Sequence, residues 1–331
     1  TLLCSMHFSV LSVVHLATLT PVASMLQQQF TKVRNMKNLH IEHPEDTILT
    51  GDLSVLDAFS DRMNNHYSVK IDGSPAIVWG TDPENGKFFV GTKSVFNKRT
   101  PKVNYSIQDI ERNHPDFELN SILIRCFNCL PRIGFEGRVF QGDFIGYGGY
   151  RDYKPNVVSY TFDTVQNVGV VVAPHTEYKG ATLKDMNAEP LTEKLDPTMF
   201  VQPDAWIAGQ GSLPGKGTTT DIDMMIGFAR QMATLVEFAT EKEAKQLKQD
   251  LNAYIRDGDE IVAEEFANYQ LVRLWLLIKS IKTVVRYIMR DDFKCDCFID
   301  NEYITGEGYV MSSKHGTYKL VDREILSLIH I

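Results

Sequence analysis

Five charged residues lie in segments that read as strands and could together do acid–base and nucleophilic chemistry: Lys70, Asp72, Asp143, Glu307 and Lys319. Lys70 is the central one, because apolar residues on both sides would remove water from its ammonium group. Desolvation disfavours the charged form of a lysine, and the neutral amine is a nucleophile. The Asp72-Gly73 pair is also a common signal for a plain hairpin turn, which needs no chemistry. The nucleophile hypothesis therefore depends on whether the other charged residues reach Lys70.

Each of these residues stands in a short motif, and the motifs follow one another in a fixed order. The segment 70–73 reads K-x-D-G, a glycine and a phenylalanine flank Asp143, Glu307 begins an E-G-x-V segment, and Lys319 lies in the last apolar strand. This order resembles the covalent nucleotidyltransferase superfamily, which comprises ATP-dependent DNA and RNA ligases and mRNA-capping enzymes. The sequence as a whole looks like uncharacterised ligase-like proteins of tailed bacteriophages.

The resemblance implies an RNA-ligase-like, ATP-dependent nucleotidyltransferase. In such enzymes a lysine attacks the α-phosphate of ATP, pyrophosphate leaves, and the lysine-bound AMP passes to the 5′-phosphate of a polynucleotide, RNA or DNA. Mg²⁺ assists, and carboxylate oxygens suit this ion. The resemblance assigns catalysis to Lys70 and Lys319, nucleotide binding to Asp72, Gly73, Lys93, Asp143, Glu307 and Lys319, and the metal to Asp143 and Glu307.

The sequence departs from the family pattern in several places. Val321 stands where a second lysine is usual, and only Lys93 replaces an early arginine. The aromatic segment of the family matches 160–162 weakly, and the few residues after Lys319 leave no room for an OB domain. Two alternatives therefore stay open: a GTP-using, capping-type guanylyltransferase, and a catalytically degenerate phage protein that binds nucleotide.

A polynucleotide would have to be bound by local basic segments, because the net charge is -8 and gives no overall attraction for nucleic acid. One candidate is the loop 98–102, and another is a set of cations at helical spacing between 279 and 290. An ordinary solvated surface is the alternative in both cases. The candidate nucleic-acid-binding residues are Lys98, Arg99, Lys102, Lys279, Lys282, Arg286 and Arg290.

The pattern predicts an α+β protein. The resemblance implies that residues 36–204 and 301–331 form a nucleotidyltransferase (ligase adenylation) fold of antiparallel sheets flanked by helices. Residues 205–300 read as a helical insertion, with a break near 257–259. This insertion would explain the unusually long separation of Asp143 from Glu307.

Residues 1–35 read as a leader outside the fold, since no Asp, Glu, Lys or Arg occurs from Thr1 to Gln29. A secretory signal or a membrane anchor is the alternative, but the positively charged start of a signal is missing, and polar residues dilute the apolar stretch. We expect no membrane contact and a cytoplasmic location, which would be the host cytoplasm if the protein is phage-encoded.

Two further motifs invite a binding role and fit it poorly. Cys126, Cys129, Cys295 and Cys297 could supply four zinc ligands, but the first pair falls on an apolar helix, which favours buried structural cysteines. The glycine-rich segment 209–218 lacks the spacing of a phosphate-binding loop and reads as a linker.

Overall fold

The structure, a computed structural model, describes residues 41–130, 137–208 and 218–324. The predicted leader 1–35, nearly all of the glycine-rich segment and the residues after 324 lie outside these ranges. All described residues belong to a single compact unit.

The described chain contains seven α-helices and fourteen strands. The helices are α1 (Pro44–Thr47), α2 (Ser54–Ser60), α3 (Ile107–Asn113), α4 (Phe117–Cys129), α5 (Thr218–Ala233), α6 (Glu241–Asp257) and α7 (Tyr269–Tyr287). The strands are β1 (His66–Val69), β2 (Ala76–Thr81), β3 (Phe88–Gly91), β4 (Val139–Tyr147), β5 (Asp152–Tyr153), β6 (Val158–Phe162), β7 (Val170–Lys179), β8 (Asn187–Pro190), β9 (Asp204–Ile207), β10 (Met289–Asp291), β11 (Cys295–Ile299), β12 (Glu302–Ile304), β13 (Gly308–Ser313) and β14 (Gly316–Val321).

The strands form three sheets. Sheet A has the order β10-β9-β1-β13-β14, sheet B the order β3-β2-β4-β7-β8, and sheet C the order β12-β11-β6-β5. Neighbouring strands in each sheet run antiparallel. The prediction of an α+β protein with antiparallel sheets and flanking helices is confirmed.

Local signals explain where several helices begin and end. The side chain of Asp116 caps α4 by accepting a hydrogen bond from the amide of Leu119, 2.9 Å away. Helix α6 begins with a capping box of Thr240 and Glu243 and ends at Gly258, whose φ of 76° suits glycine. Helices α3 and α4 are separate, because Pro115 disfavours helical geometry at the preceding residue.

The segment 205–300 contains three helices, and strands also occur at both of its ends. Strands β9 and β10 extend sheet A, and β11 pairs with β6 in sheet C. Helix α7 buries Trp275 and Ile278 in one core together with Tyr67 of β1 and Met311 of β13. The helices therefore cover one face of sheet A and share its core. Strands of three to five residues are too short for their periodicity to be read from the sequence.

Candidate active site

Lys70 lies where the chain leaves sheet A for sheet B. It follows β1 directly, and its amide donates a 2.8 Å hydrogen bond to the carbonyl of Gly308 at the start of β13. The next strand, β2, belongs to sheet B and does not pair with β1. The segment 70–75 is therefore a crossover between two sheets, and the plain hairpin suggested by Asp72-Gly73 does not form.

The crossover rests closely on strand β4, and Gly73 makes this contact possible. A Cβ atom at Gly73 would lie 2.4 Å from the carbonyl oxygen of Phe144. The same oxygen accepts a 3.0 Å hydrogen bond from the amide of Ser74, and the amide of Phe144 donates to Pro75 at 3.1 Å. Glycine at this position thus allows the crossover to dock beside Asp143.

The ammonium of Lys70 is held by two carboxylates. It donates a short hydrogen bond to Oε2 of Glu307, and Oδ1 of Asp72 lies 3.6 Å away. Glu307 is buried, with 2% of its surface exposed. Two glycines with positive φ, 83° at Gly306 and 118° at Gly308, flank it. Gly308 also permits a tight approach to β14, since a Cβ there would lie 2.4 Å from the carbonyl oxygen of Leu320.

These contacts decide the protonation state of the lysine. Burial alone would lower the pKa of Lys70, but the negative charges of Glu307, Asp72 and Asp143 outweigh burial, so the pKa of Lys70 is raised. The expectation that desolvation makes this lysine neutral is wrong for the site as it stands. The carboxylates therefore favour the ammonium form of Lys70.

Sheet C supplies a residue that fixes the counter-ion of Lys70. The hydroxyl of Tyr160 in β6 donates a 2.6 Å hydrogen bond to Oε1 of Glu307, and it accepts a 3.0 Å hydrogen bond from the amide of Asp72. Burial raises the pKa of Tyr160, so the phenol keeps its proton as a donor. The carboxylate of Asp72 also accepts a 2.9 Å hydrogen bond from Nδ2 of Asn156.

Five of the predicted residues meet at one cleft of about 330 Å³ between sheets A and B. The cleft is lined by the predicted residues Lys70, Asp72, Lys93, Asp143 and Lys319. Burial lowers the pKa of Lys319, and the positive charge of Lys70 lowers it further. The effect of Lys70 on the pKa of Lys319 agrees with two ammonium groups that face the same space. Such an arrangement would suit a polyphosphate. The rest of the wall includes apolar side chains such as Ile41, Leu191 and Val201.

The two predicted metal ligands have different surroundings. Asp143 lines the cleft, and its Oδ1 lies 3.6 Å from Nε2 of His175. Both oxygens of Glu307 already accept hydrogen bonds, from Lys70 and from Tyr160. Among the described residues, no three His, Cys, Asp or Glu side chains are grouped closely enough to hold a metal. Four acidic side chains line the cleft. Glu193 and Asp204 form ion pairs with Arg138 and Lys194, and the other two are Asp143 and Asp72, whose oxygens are of the type that Mg²⁺ prefers.

The four cysteines considered as zinc ligands, for which the sequence favours a structural role, lie in two different parts of the protein. Cys126 is buried between α4 and sheet B, and Cys297 is buried in the core of sheet C. Burial raises the pKa of the Cys126 thiol, which disfavours the thiolate that zinc binds. The preference for structural cysteines agrees with this placement.

The basic loop lies on the surface. Lys98, Arg99 and Lys102 are exposed, and Nζ of Lys102 donates a 2.9 Å hydrogen bond to the carbonyl of Asn113. Their role in binding nucleic acid stays a prediction.

The cations of α7 are mostly paired within the protein. Lys279 forms an ion pair of 2.5 Å with Glu324, and Arg286 forms one of 3.0 Å with Asp322. Arg290, just beyond the helix, donates a 2.6 Å hydrogen bond to the carbonyl of Met289.

Lys282 is not a surface residue. Only 2% of it is exposed, and its ammonium lies 2.5 Å from Oε1 of Glu45 in α1. The guanidinium of Arg323 lies 3.1 Å from the same carboxylate and 2.8 Å from Asp46. The prediction that Lys282 contacts nucleic acid is wrong, because its charge holds α7 to α1 inside the protein.

Sequence reasoning missed three residues near the cleft. Tyr160 belonged to the weakly matching aromatic segment, and only its position there hinted at a role. Asn156 and His175 gave no usable signal, since isolated polar residues in loops and strands are common.

In the described chain, no helix combines the length and the apolar character needed to cross a membrane.

Comparison with known proteins gives one family. The chain matches a family of unknown function, DUF6267, over residues 38–269 and 260–329. No curated protein matches the chain. No solved structure matches it either.

Proposed function

The chain belongs to the DUF6267 family, and we propose that this member is an ATP-dependent nucleotidyltransferase that carries AMP on Lys70 and delivers it to a polynucleotide 5′-phosphate. One observation carries the proposal: Lys70 is held by Glu307 and Asp72 at the wall of a cleft that Lys93 and Lys319 also line. A lone buried lysine would need only a counter-ion. A lysine grouped with two further ammonium groups suits a ligand that carries several negative charges.

The lining of the cleft fits a nucleoside triphosphate. Lysines are common phosphate ligands, and four of them line the cleft: Lys70, Lys93, Lys319 and Lys194, the last in an ion pair with Asp204. Apolar side chains, among them Ile41 and Leu191, offer a surface for a base. The volume of about 330 Å³ lies within the usual range for small-molecule sites.

The first step joins Lys70 to the nucleotide. Lys70, which Glu307 and Asp72 hold as an ammonium, first loses one proton to solvent. The neutral amine attacks the α-phosphorus, a nitrogen–phosphorus bond forms, and the bond from phosphorus to the pyrophosphate oxygen breaks. The nitrogen gives its second proton to Glu307, which can accept it because burial raises the pKa of this carboxyl group. Pyrophosphate leaves with the electron pair, and the ammonium groups of Lys93 and Lys319 offset its charge.

The second step frees Lys70. An oxygen of the polynucleotide 5′-phosphate attacks the same phosphorus, and the nitrogen–phosphorus bond breaks as the nitrogen takes back the proton from Glu307. The amine of Lys70 then takes a second proton from solvent. The product carries AMP joined through a phosphoanhydride. Two carboxylates, Glu307 and Asp72, then hold the lysine again as an ammonium.

Asp143 and Asp72 are the cleft carboxylates that would hold Mg²⁺ together with the phosphates. When bound, this ion offsets phosphate charge and makes the α-phosphorus more electrophilic.

We also propose that sheets A and B form the two halves of a nucleotidyltransferase adenylation fold. Two placements support it. The K-x-D-G segment crosses from one sheet to the other, and the E-G-x-V strand lies beside the strand that leads into it.

Labelling tests the proposal directly. The full chain is incubated with Mg²⁺ and either [α-³²P]ATP or [α-³²P]GTP, and the products are separated by denaturing electrophoresis. We expect a labelled band with ATP for the wild type and for Lys314→Ala, a lysine whose side chain is 75% exposed on the β13–β14 turn. Lys70→Ala and Lys70→Arg should give no band.

Three other outcomes would contradict the proposal. Labelling by GTP alone would indicate a capping-type guanylyltransferase. Nucleotide binding without a covalent band would indicate a protein that only binds nucleotide. A band that persists in Lys70→Ala would exclude Lys70 as the nucleophile.

A further inference from the structure

One face of sheet A leads from the cleft to the outer edge of the sheet. In β9 and β10, Ala205, Ile207 and Met289 lie in the core beneath the helices. Side chains alternate between the two faces of a strand, so Trp206 and Arg290 face the side opposite the helices. Asp204, two residues before Trp206, lines the cleft on this same side. Trp206 and Arg290 therefore extend the cleft face of sheet A.

Trp206 differs from the other tryptophans of the chain. The sequence contains three; Trp79 and Trp275 are 0% exposed, and Trp206 is 47% exposed. Arg290 lies directly opposite Trp206 in the register of β9 and β10, and cross-strand neighbours on one face are in contact range. The sheet edge thus presents an aromatic ring and a cation side by side.

The acidic groups nearest along these strands are already engaged. Oδ2 of Asp204 lies 2.6 Å from Nζ of Lys194, and Oδ2 of Asp291 accepts a 2.8 Å hydrogen bond from the hydroxyl of Tyr309. The lysines of the cleft lie at one end of this face and Arg290 at the other. A ligand with repeated negative charges and flat rings would be complementary to the lysines at one end and to Trp206 and Arg290 at the other.

We propose that the cleft face of sheet A binds a single-stranded polynucleotide, with Trp206 stacking on a base and Arg290 contacting a neighbouring phosphate. This inference rests on the proposed function, since it takes the cleft as the place where the 5′-phosphate reacts. Every base has a π-face, so stacking on an aromatic ring tolerates any sequence. A duplex hides its base faces, so this surface selects single strands.

The tryptophan itself reports the contact. Trp79 and Trp275 are buried, so a quencher in solution reaches mainly Trp206. The part of the tryptophan fluorescence that can be quenched therefore reports on Trp206. Titration of oligo-rU and of oligo-dT into the full chain, without ATP, should quench that fraction and shield it from acrylamide. The same oligonucleotide annealed to its complement should quench it much less.

Variants separate stacking from other effects. With fluorescently labelled oligo-rU and oligo-dT, anisotropy should show a Kd about tenfold higher for Trp206→Ala, while Trp206→Phe, which keeps an aromatic ring, should stay near wild type. Phe117→Ala is the matched control, because Phe117 is 85% exposed at the start of α4.

Arg290→Ala should reduce the slope of log affinity against log salt by about 0.7, and Arg112→Ala should leave it unchanged.

The proposal is overturned if Trp206→Ala binds single strands as tightly as wild type, or if the duplex binds as tightly as the single strand. Failure of the proposed function is distinguishable, because labelling of the wild type by ATP is measured without any polynucleotide. If ATP labels the wild type but oligonucleotide binding does not depend on Trp206, only this inference is overturned. If ATP does not label the wild type but oligonucleotide binding depends on Trp206, only the enzymatic proposal is overturned.

Discussion

The hydroxyl of Tyr160 donates a 2.6 Å hydrogen bond to Oε1 of Glu307 and leaves Oε2 of the same carboxylate to the ammonium of Lys70. Tyr160 comes from sheet C, Glu307 from the start of β13 in sheet A, and Lys70 from the crossover to sheet B. All three sheets therefore contribute to holding one ammonium group. Sheet C also reaches the crossover through Ile71, which packs in the same core as Val158 and Tyr160 of β6.

Tyr160→Phe should destabilise the protein and slow adduct formation. Without the phenol, Oε1 of Glu307 is buried with one partner fewer, which costs roughly 1–3 kcal/mol. The carboxylate is then free to turn, so we expect the labelling rate at saturating ATP to fall about tenfold, in line with a loss of this size. Urea denaturation measures the first effect and the labelling time course the second.

Tyr303→Phe is the control for this variant, since Tyr303 is 64% exposed on β12 of the same sheet. Equal stability and equal rates for Tyr160→Phe and wild type would show that the hydrogen bond has no positioning role.

The rate of adduct formation should rise with pH. The reaction needs the neutral amine, and the carboxylates around Lys70 raise its pKa, so nearly all of it is protonated at neutral pH. The expected profile climbs from about pH 7 to beyond pH 10, the range around the ordinary lysine pKa. Initial labelling rates in a series of buffers of equal ionic strength measure it.

Asp72→Asn should move that profile to lower pH. Removal of one negative charge lowers the pKa of Lys70, so a larger fraction of the amine is neutral at any given pH. A profile that moves to higher pH, or does not move, would show that Asp72 does not act on the charge of Lys70.

Gly73→Ala should disable the site. Its Cβ would lie 2.4 Å from the carbonyl oxygen of Phe144, so the crossover has to move away from β4 and carries Lys70 with it. We expect a loss of stability of about 1–3 kcal/mol and the loss of most labelling. Gly227→Ala is the matched control: a Cβ there meets nothing within 4 Å in the exposed part of α5, and alanine should add roughly 0.5–1 kcal/mol.

Lys282→Ala should destabilise the protein without affecting nucleic-acid binding. The change leaves Glu45, which is 0% exposed, with Arg323 as its remaining cation, and the loss of one partner from a buried pair costs roughly 3–5 kcal/mol. Lys279→Ala breaks an ion pair on the same helix whose partner Glu324 is largely exposed, and it should cost less than about 1 kcal/mol. Urea denaturation distinguishes the two, and a drop in oligonucleotide affinity for Lys282→Ala with unchanged stability would contradict the assignment.

The sequence singled out five of the residues that line the cleft, because short motifs preserve local geometry. Lys70, Asp72, Lys93, Asp143 and Lys319 come from distant segments and line one cleft, as the motif order predicts. The α+β class with antiparallel sheets also followed from the strand patterns. What these residues do chemically stays a prediction.

The missed features depend on tertiary contacts that leave no periodic pattern. Lys282 follows the same helical spacing as its neighbours, and only the approach of α1 from the distant segment 44–47 makes its position buried. Trp206 lies in a strand of four residues, too short to show which face is open. The resting charge of Lys70 depends on Glu307, which approaches it from far along the chain.

The strand that carries Lys319 is fastened at two places close to that residue. The amide of Lys319 donates a 3.0 Å hydrogen bond to the carbonyl of Glu42, and four residues later Arg323 enters the buried ion cluster with Glu45 and Asp46. Little backbone freedom is left for a bound anion to remove, and the entropic penalty of binding is correspondingly small. The buried ion cluster does not line the cleft, but it holds the strand of Lys319 in place and so preorganises this lysine for binding an anion.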